Sequence, residues 1–340
     1  MTTTRKCLVT GGTSGVGSRL ALRLAESGRE VRILLSCKSA THERSGPMPQ
    51  GATAYAADIT QDSQKAAAVL EDACRGVDAV FHMAGITNLR GELPEREFMR
   101  VNVGGTENLL RACTNANGES AVMRFMYLSS ISVYGNKRKG EVLSEDSPTS
   151  PDTAYGRSKL HAERAIRRYS ELHPNIIYTI FRSANMYGPL YEPFFHKTWK
   201  YQMAGKLVYV GDGTNHQTLV YVDDVIDCML LALQNQKASN RTYVVSDGQP
   251  YTVRELFERA ATFLGIAPPQ KRVHPLLAYI GAKSKGITKA ELDYMTSDRV
   301  LSIARAMTEL GFSPRRTTQK EGREMVEAFL RQYRGITPQI

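Results

Sequence analysis

The chain has 340 residues, 42% hydrophobic and 23% charged, with a net charge of +10. That length supports two lobes around a sizeable core, and the composition excludes a disordered, collagenous or membrane-embedded chain. No run approaches the ~20 apolar residues that span a bilayer, the segment before Cys7 is too short for a secretory leader, and the five cysteines are scattered without a CxxC pair, so no metal or disulfide framework is expected and a reducing cytoplasm fits.

The first half alternates β-branched runs with helical periodicity. Strands are expected at 6–10, 31–35, 52–56, 79–82, 124–129 and 176–182, with helices at 16–27, 62–74, 94–116 and 153–172. This alternation predicts parallel βαβ units in a doubly wound sheet. Between the first strand and helix stands Thr10-Gly11-Gly12-Thr13-Ser14-Gly15-Val16-Gly17. Gly11 permits the tight turn, Gly15 lets the backbone approach a pyrophosphate, and Gly17 lets the helix pack closely on the strand.

At the end of the second strand, where a NAD site carries an acid, this chain has Leu35 followed by Ser36 and Lys38. With Ser14 across the turn, these residues suit a 2′-phosphate, so NADP(H) is favoured, with NAD(H) as the alternative. Asp58 either accepts a bond from an adenine amino group or caps the next helix. His82, at the end of strand four, reads better as a satisfied strand-end histidine than as a catalytic one. Asn102 could hold a water or backbone carbonyl in a proton relay.

Tyr155 and Lys159 stand at i and i+4 on one helical face, after a strand ending in Ser129-Ser130. An ammonium and a cationic nicotinamide near the phenol would lower its pKa, letting Tyr155 exchange a proton with a substrate hydroxyl that Ser130 orients. A second Tyr-x3-Lys, Tyr279 and Lys283, lacks such a strand end and reads as surface structure.

Beyond Tyr187-Gly188-Pro189 the pattern changes, with glycine, proline and aromatics dense to about 220. Helices are expected at 222–235, 252–264, 288–310 and 318–334, with a strand at 241–246 returning to the first sheet and a frayed tail after 334. Residues 1–185 then form the nucleotide-binding domain, and 186–340 mainly a substrate lobe. The basic clusters, such as Lys137-Arg138-Lys139 and Arg315-Arg316, are short and dispersed. They read as solvated faces with room for an anionic ligand, and nucleic acid is not the expected partner.

Together, TGGTSGVG, FHMAG, VNVGGTENLL, SSISVYG, YGRSK, RSANMYGP, GDGTNHQTLVYVDDV and ELGFSP resemble the extended short-chain dehydrogenase/reductases, the NAD-dependent epimerase/dehydratase group. The resemblance spans nearly the whole chain. It implies a Rossmann-type α/β fold with a smaller C-terminal α+β substrate lobe, and Ser130, Tyr155 and Lys159 as the catalytic trio. It also implies cofactor contacts at Val16, Ile59, Ala84, Asn102, Tyr155, Lys159 and Ser183, and substrate contacts at Ser130, Ile131, Asn185 and Gln217. A homodimer through the helices at 94–116 and 153–172 is implied as well.

Departures from the group narrow the activity. Ile131-Ser132 replace the Asp-Glu pair of sugar dehydratases, which disfavours water elimination. Gln217 and Leu292-Asp293 stand where nucleotide-sugar enzymes place phosphate-clamping arginines, and 274–314 is more similar to the 3β-hydroxysteroid dehydrogenase-like branch. The expected function is an NAD(P)-dependent dehydrogenase or ketoreductase at a secondary alcohol or ketone of a small molecule. The alternative is a nucleotide-sugar epimerase with a transient keto intermediate. A third reading is a non-catalytic NAD(P)-sensing or RNA-binding relative.

Overall fold

Alternating apolar residues give the first strand two buried faces. Lys6–Thr10 (β1) sends Cys7 and Val9 into one core cluster and Leu8 into another, as a sheet covered on both sides requires. A computed structural model describes residues 6–36, 46–61, 63–87, 93–118, 121–136, 140–282, 292 and 296–335. After β1 come α1 (Gly15–Glu26), β2 (Glu30–Leu35), β3 (Thr53–Ala56), α2 (Gln64–Cys74), β4 (Ala79–His82), α3 (Glu95–Phe98), a π-helical turn (Met99–Gly104), α4 (Gly105–Asn117), β5 (Met123–Ser130), β6 (Val142–Leu143), α5 (Ala154–Leu172) and β7 (Ile176–Ser183). The second half holds β8 (Asn185–Tyr187), α6 (Glu192–Met203), β9 (Tyr209–Val210), β10 (His216–Tyr221), α7 (Val222–Gln234), β11 (Arg241–Val245), β12 (Pro250–Thr252), α8 (Val253–Leu264), β13 (Arg272–Val273), α9 (Pro275–Ala282), β14 (Val300–Leu301), α10 (Ala304–Leu310) and α11 (Glu321–Gly335).

Seven strands form one parallel sheet in the order β11-β7-β5-β4-β1-β2-β3. This is a doubly wound Rossmann-type sheet. Its winding reverses between β1 and β4, which opens a crevice at the carboxyl ends of those strands. The helices begin where side chains cap them. Ser14, Ser63, Thr153 and Thr252 each accept a first-turn amide, and Thr252 completes a capping box with Glu255.

Two expected elements differ, and one helix stands where none was expected. The helix over 94–116 is broken by the π-helical turn, because the Asn102 side chain is tied to the Ile86 backbone and to Ser158; such turns often mark functional sites. Within 288–310, Val300–Leu301 pairs with β6 and α10 starts only at Ala304, because Leu301 is buried and the Thr218 hydroxyl binds the Arg299 carbonyl. Tertiary pairing there overrides helical periodicity. Helix α6 lies in the stretch dense in glycine, proline and aromatics, and its contacts are aromatic: Trp199 packs on Phe195 and Phe329. Lys38, the Lys137-Arg138-Lys139 cluster, Lys283 and the end of the tail lie outside the described residues.

Ion pairs join the sequence-distant parts. Asp223 of α7 takes Arg19 of α1 in a two-pronged bond at 2.7 and 2.6 Å. Asp224 and Asp227 both hold Arg316 at 2.6 Å. Cys7, Cys74, Cys113 and Cys228 are buried free thiols.

Candidate active site

The glycine turn follows β1 at the switch point. Gly11 has φ +67, and a Cβ there would lie 2.9 Å from the Ala84 backbone, so only glycine lets the turn press on the end of β4. A Cβ on Gly17 would lie 2.1 Å from the Gly11 carbonyl, the close helix–strand packing expected of this position. Gly15 is covered differently: the ring of Tyr191 sits over it, 2.7 Å from where its Cβ would be. The Ser14 hydroxyl donates to the Gly11 carbonyl at 2.7 Å and accepts Gly17 N–H at 3.1 Å. The Ser14 oxygen caps α1 and its proton closes the glycine turn.

At the neighbouring strand end, His82 is fully buried between two hydroxyls. The Thr106 proton goes to the Asn102 carbonyl at 2.7 Å, so Thr106 accepts from His82 Nε2 at 2.9 Å. His82 Nδ1 then accepts from Thr10 at 2.7 Å, and the Thr10 oxygen receives the Met83 and Ala84 amides. Burial, helped by the Lys159 charge, pushes the His82 pKa down to about 3. It is a neutral strut that locks β1, β4 and the start of α4 together.

Ser130 ends β5 and Tyr155 opens α5. The Ser130 hydroxyl donates to the Ser132 hydroxyl and accepts the Ser132 N–H, each at 3.1 Å. Asn102 grips both sides of Ile86, accepting its N–H at 2.9 Å and donating to its carbonyl at 3.1 Å, and also donates to Ser158 at 2.9 Å. Ser158 in turn donates to the Tyr155 carbonyl at 2.8 Å. Asn102 thus holds a backbone carbonyl and anchors the start of α5, with its amide groups fully engaged.

Lys159 is buried one turn beyond Tyr155. Its ammonium donates to the Leu128 carbonyl at 2.7 Å and to the Tyr127 hydroxyl at 3.1 Å. Burial, only partly offset by Glu163, pushes its pKa down to about 7. Burial pushes Tyr155 up to about 12, and Ser130 alone opposes it, because the Lys159 cation is directed to Tyr127 and Leu128.

Behind these groups lies a buried ion pair. Glu163 meets Arg182 at 2.8 and 3.1 Å and accepts from Ser129 at 2.6 Å. Arg182 also donates to the Tyr134 hydroxyl at 3.0 Å. This set fixes β5 just before Ser130. Of the other expected residues, Ser183 pairs in register with Ser130 and donates to the Ala184 carbonyl at 2.9 Å. Ile131 is buried beside Ser130, Asn185 opens β8, and Ser36 is exposed after β2. Asp58 caps its own turn, accepting from Thr60 N–H at 2.9 Å and the Thr60 hydroxyl at 2.7 Å, while Ile59 packs on Gly105. Gln217 is buried in β10 and donates to the Ser297 carbonyl at 2.9 Å, so its amide hydrogen ties two segments together.

Tyr127, Glu163, Arg182 and Tyr191 were not anticipated. Glu163 stands four residues after Lys159 on the same helical face, a signal that was available. The placement of Tyr191 depends on a turn far from the glycine loop in sequence.

This is the architecture of the extended short-chain dehydrogenases/reductases. The chain belongs to the NAD dependent epimerase/dehydratase family, which it matches over residues 7–246. Among curated relatives, the Escherichia coli strain K12 protein YbjS, described as uncharacterized, is 28% identical, covering 96% of this chain and 98% of its own. A 3-beta-hydroxysteroid dehydrogenase of Mycolicibacterium neoaurum is 27% identical, covering 93% of this chain and 88% of its own. The solved structure of UDP-glucose 4-epimerase with UDP-glucose from Thermotoga maritima superposes with a TM-score of 0.77 at 23% identity, covering 96% of this chain and 99% of that one. That likeness is one of fold.

Proposed function

We propose that this chain is an NAD(P)-dependent oxidoreductase acting at a secondary alcohol or ketone carbon of a small molecule. The observation that carries this reading is the placement of Ser130 at the end of β5 and of Tyr155 at the start of α5, with the buried Lys159 one helical turn further on. Val16 lies in the first turn of α1, whose leading N–H groups have no acceptor within the helix, so an oxygen acceptor such as a dinucleotide phosphate fits there. When bound, the nicotinamide supplies or accepts the hydride. Ser130 orients the substrate oxygen, and Tyr155 takes the hydroxyl proton in oxidation and returns it in reduction. Ile131 and Asn185 face the substrate, and the net charge of +10 suits an anionic one.

NADP(H) is the proposed preference. Leu35 offers the ribose no acceptor, and the exposed Ser36, with Lys38 next but one in sequence, suits a 2′-phosphate. The buried free thiols suit a cytoplasmic protein, and no helix among the described residues is long and apolar enough to cross a membrane. A homodimer is proposed across the outer face of α4 and α5.

The test is nicotinamide absorbance during incubation with secondary alcohols, ketones and nucleotide sugars. Net oxidation or reduction, lost by about 10²–10⁴-fold in Tyr155→Phe, is expected for general acid–base removal. Near-normal turnover in that variant would exclude the assignment. Conversion of a sugar without net absorbance change would favour the epimerase, which uses the same three residues.

A further inference from the structure

Helix α9 presents its bulky apolar side chains to water. Leu276, Leu277 and Ile280 are 63, 60 and 72% exposed, and Tyr279 is exposed beside them. At about 100° per residue these four share one face of about 160°. The opposite face carries the small Ala278, which packs on the cluster of Val210 and Leu292. A helix resting on a core ordinarily does the reverse, with large apolar residues inward and polar ones outward. A contiguous apolar patch left in water marks a contact surface.

The helix is anchored at its base. Val273 pairs in register with Val210, the Lys271 carbonyl accepts Tyr209 N–H at 3.0 Å, and the Val273 carbonyl accepts Gly211 N–H at 2.9 Å. His274 Nδ1 accepts the Leu276 amide at 3.3 Å. The charges around the patch have one sign. From Arg259 to Ala290 the sequence carries six cations, Arg259, Lys271, Arg272, Lys283, Lys285 and Lys289, and no aspartate or glutamate. Lys271 and Arg272 are exposed at the foot of the helix. An apolar face with a cationic border complements a surface that is anionic outside and apolar beneath, which is an anionic lipid bilayer. A second copy of this chain docked there would set these cations against their duplicates.

We propose that α9 docks this chain on an anionic lipid surface, with Leu276, Leu277 and Ile280 entering the boundary between headgroups and acyl chains and Lys271 and Arg272 meeting lipid phosphates. The helix lies on the bilayer without crossing it, since its eight residues fall far short of the ~20 that span one. The docking is independent of the redox reading of the nucleotide crevice.

The experiment is co-sedimentation of the full chain with vesicles of phosphatidylcholine alone and of equal parts phosphatidylcholine and phosphatidylglycerol. Wild type is expected to bind the mixed vesicles, and at least about tenfold less of the neutral ones. Lys271→Gln with Arg272→Gln should weaken binding to the mixed vesicles about 25-fold, about fivefold for each cation near the surface. Leu276→Ser with Ile280→Ser should weaken it by about tenfold or more. All four positions are exposed, so unchanged melting temperatures are expected of both variants. In Ile280→Trp, the emission added to that of the buried Trp199 should shift to the blue on the mixed vesicles and be quenched by brominated lipid. No binding of wild type to the mixed vesicles, binding that survives both double variants, or added emission that brominated lipid leaves unquenched would overturn the proposal. So would a lipid-free dimer of wild type that Leu276→Ser with Ile280→Ser dissociates while no vesicle binds, which would assign the face to a second copy.

Discussion

Replacing Lys159 by Met should make the protein more stable near neutral pH while removing its activity. The Lys159 pKa falls from the ordinary 10.5 to about 7 in the folded chain because the ammonium is buried. Each pH unit of that gap corresponds to about 1.4 kcal/mol of disfavoured charge. At pH 7 half the folded molecules have already shed the proton, so the remaining cost is about 4 kcal/mol. The folded pKa lies below the unfolded one, so between about pH 7 and 10.5 the unfolded chain binds the extra proton and wild-type stability rises with pH. Methionine carries no such cost. It leaves the Tyr127 hydroxyl and Leu128 carbonyl without their donor, a loss of about 1 kcal/mol each. The net expectation is a variant more stable by roughly 2 kcal/mol at pH 7 and less stable by about 1 kcal/mol at pH 10, with the two curves crossing near pH 9. Urea unfolding of both proteins across that range measures it. Parallel stability curves, or a variant weaker than wild type at pH 7, would refute the reasoning.

Breaking the buried pair with Arg182→Met should cost about 3–5 kcal/mol by leaving the buried Glu163 only the longer contact to Arg167 at 3.6 Å, and Glu163→Leu in the same chain should restore most of it, read by denaturant titration. Leu35→Asp should supply a ribose acceptor and repel a 2′-phosphate, shifting the ratio of NADP(H) to NAD(H) affinity by about tenfold toward NAD(H) in calorimetry. The outer face of α4 and α5 exposes Arg111, Arg164 and Arg168. A twofold dimer there would set these arginines against their copies, so sedimentation should show the dimer tightening as salt screens the repulsion.

Much of this site was legible before the fold was known. Each cue was local: a strand–turn–helix boundary at Gly11–Gly17, a four-residue spacing between Tyr155 and Lys159, and a strand ending at Ser130. The missing acid at Leu35 is likewise a fact of one position. The groups that decide how those residues behave were not local. Lys159 meets Tyr127 and Leu128 because α5 packs on β5, and the burial of the Tyr155 phenol comes from the same packing.

Strand and helix periodicity, capping residues and glycine spacing determined the doubly wound order of elements and the place of the phosphate turn, since each depends on neighbours a few residues apart. Only the tertiary structure decided that Val300–Leu301 is a strand and that Tyr191 covers Gly15. Those outcomes depend on which distant segments compete for the same hydrogen-bond donor or the same volume. Local spacing carries no record of that competition.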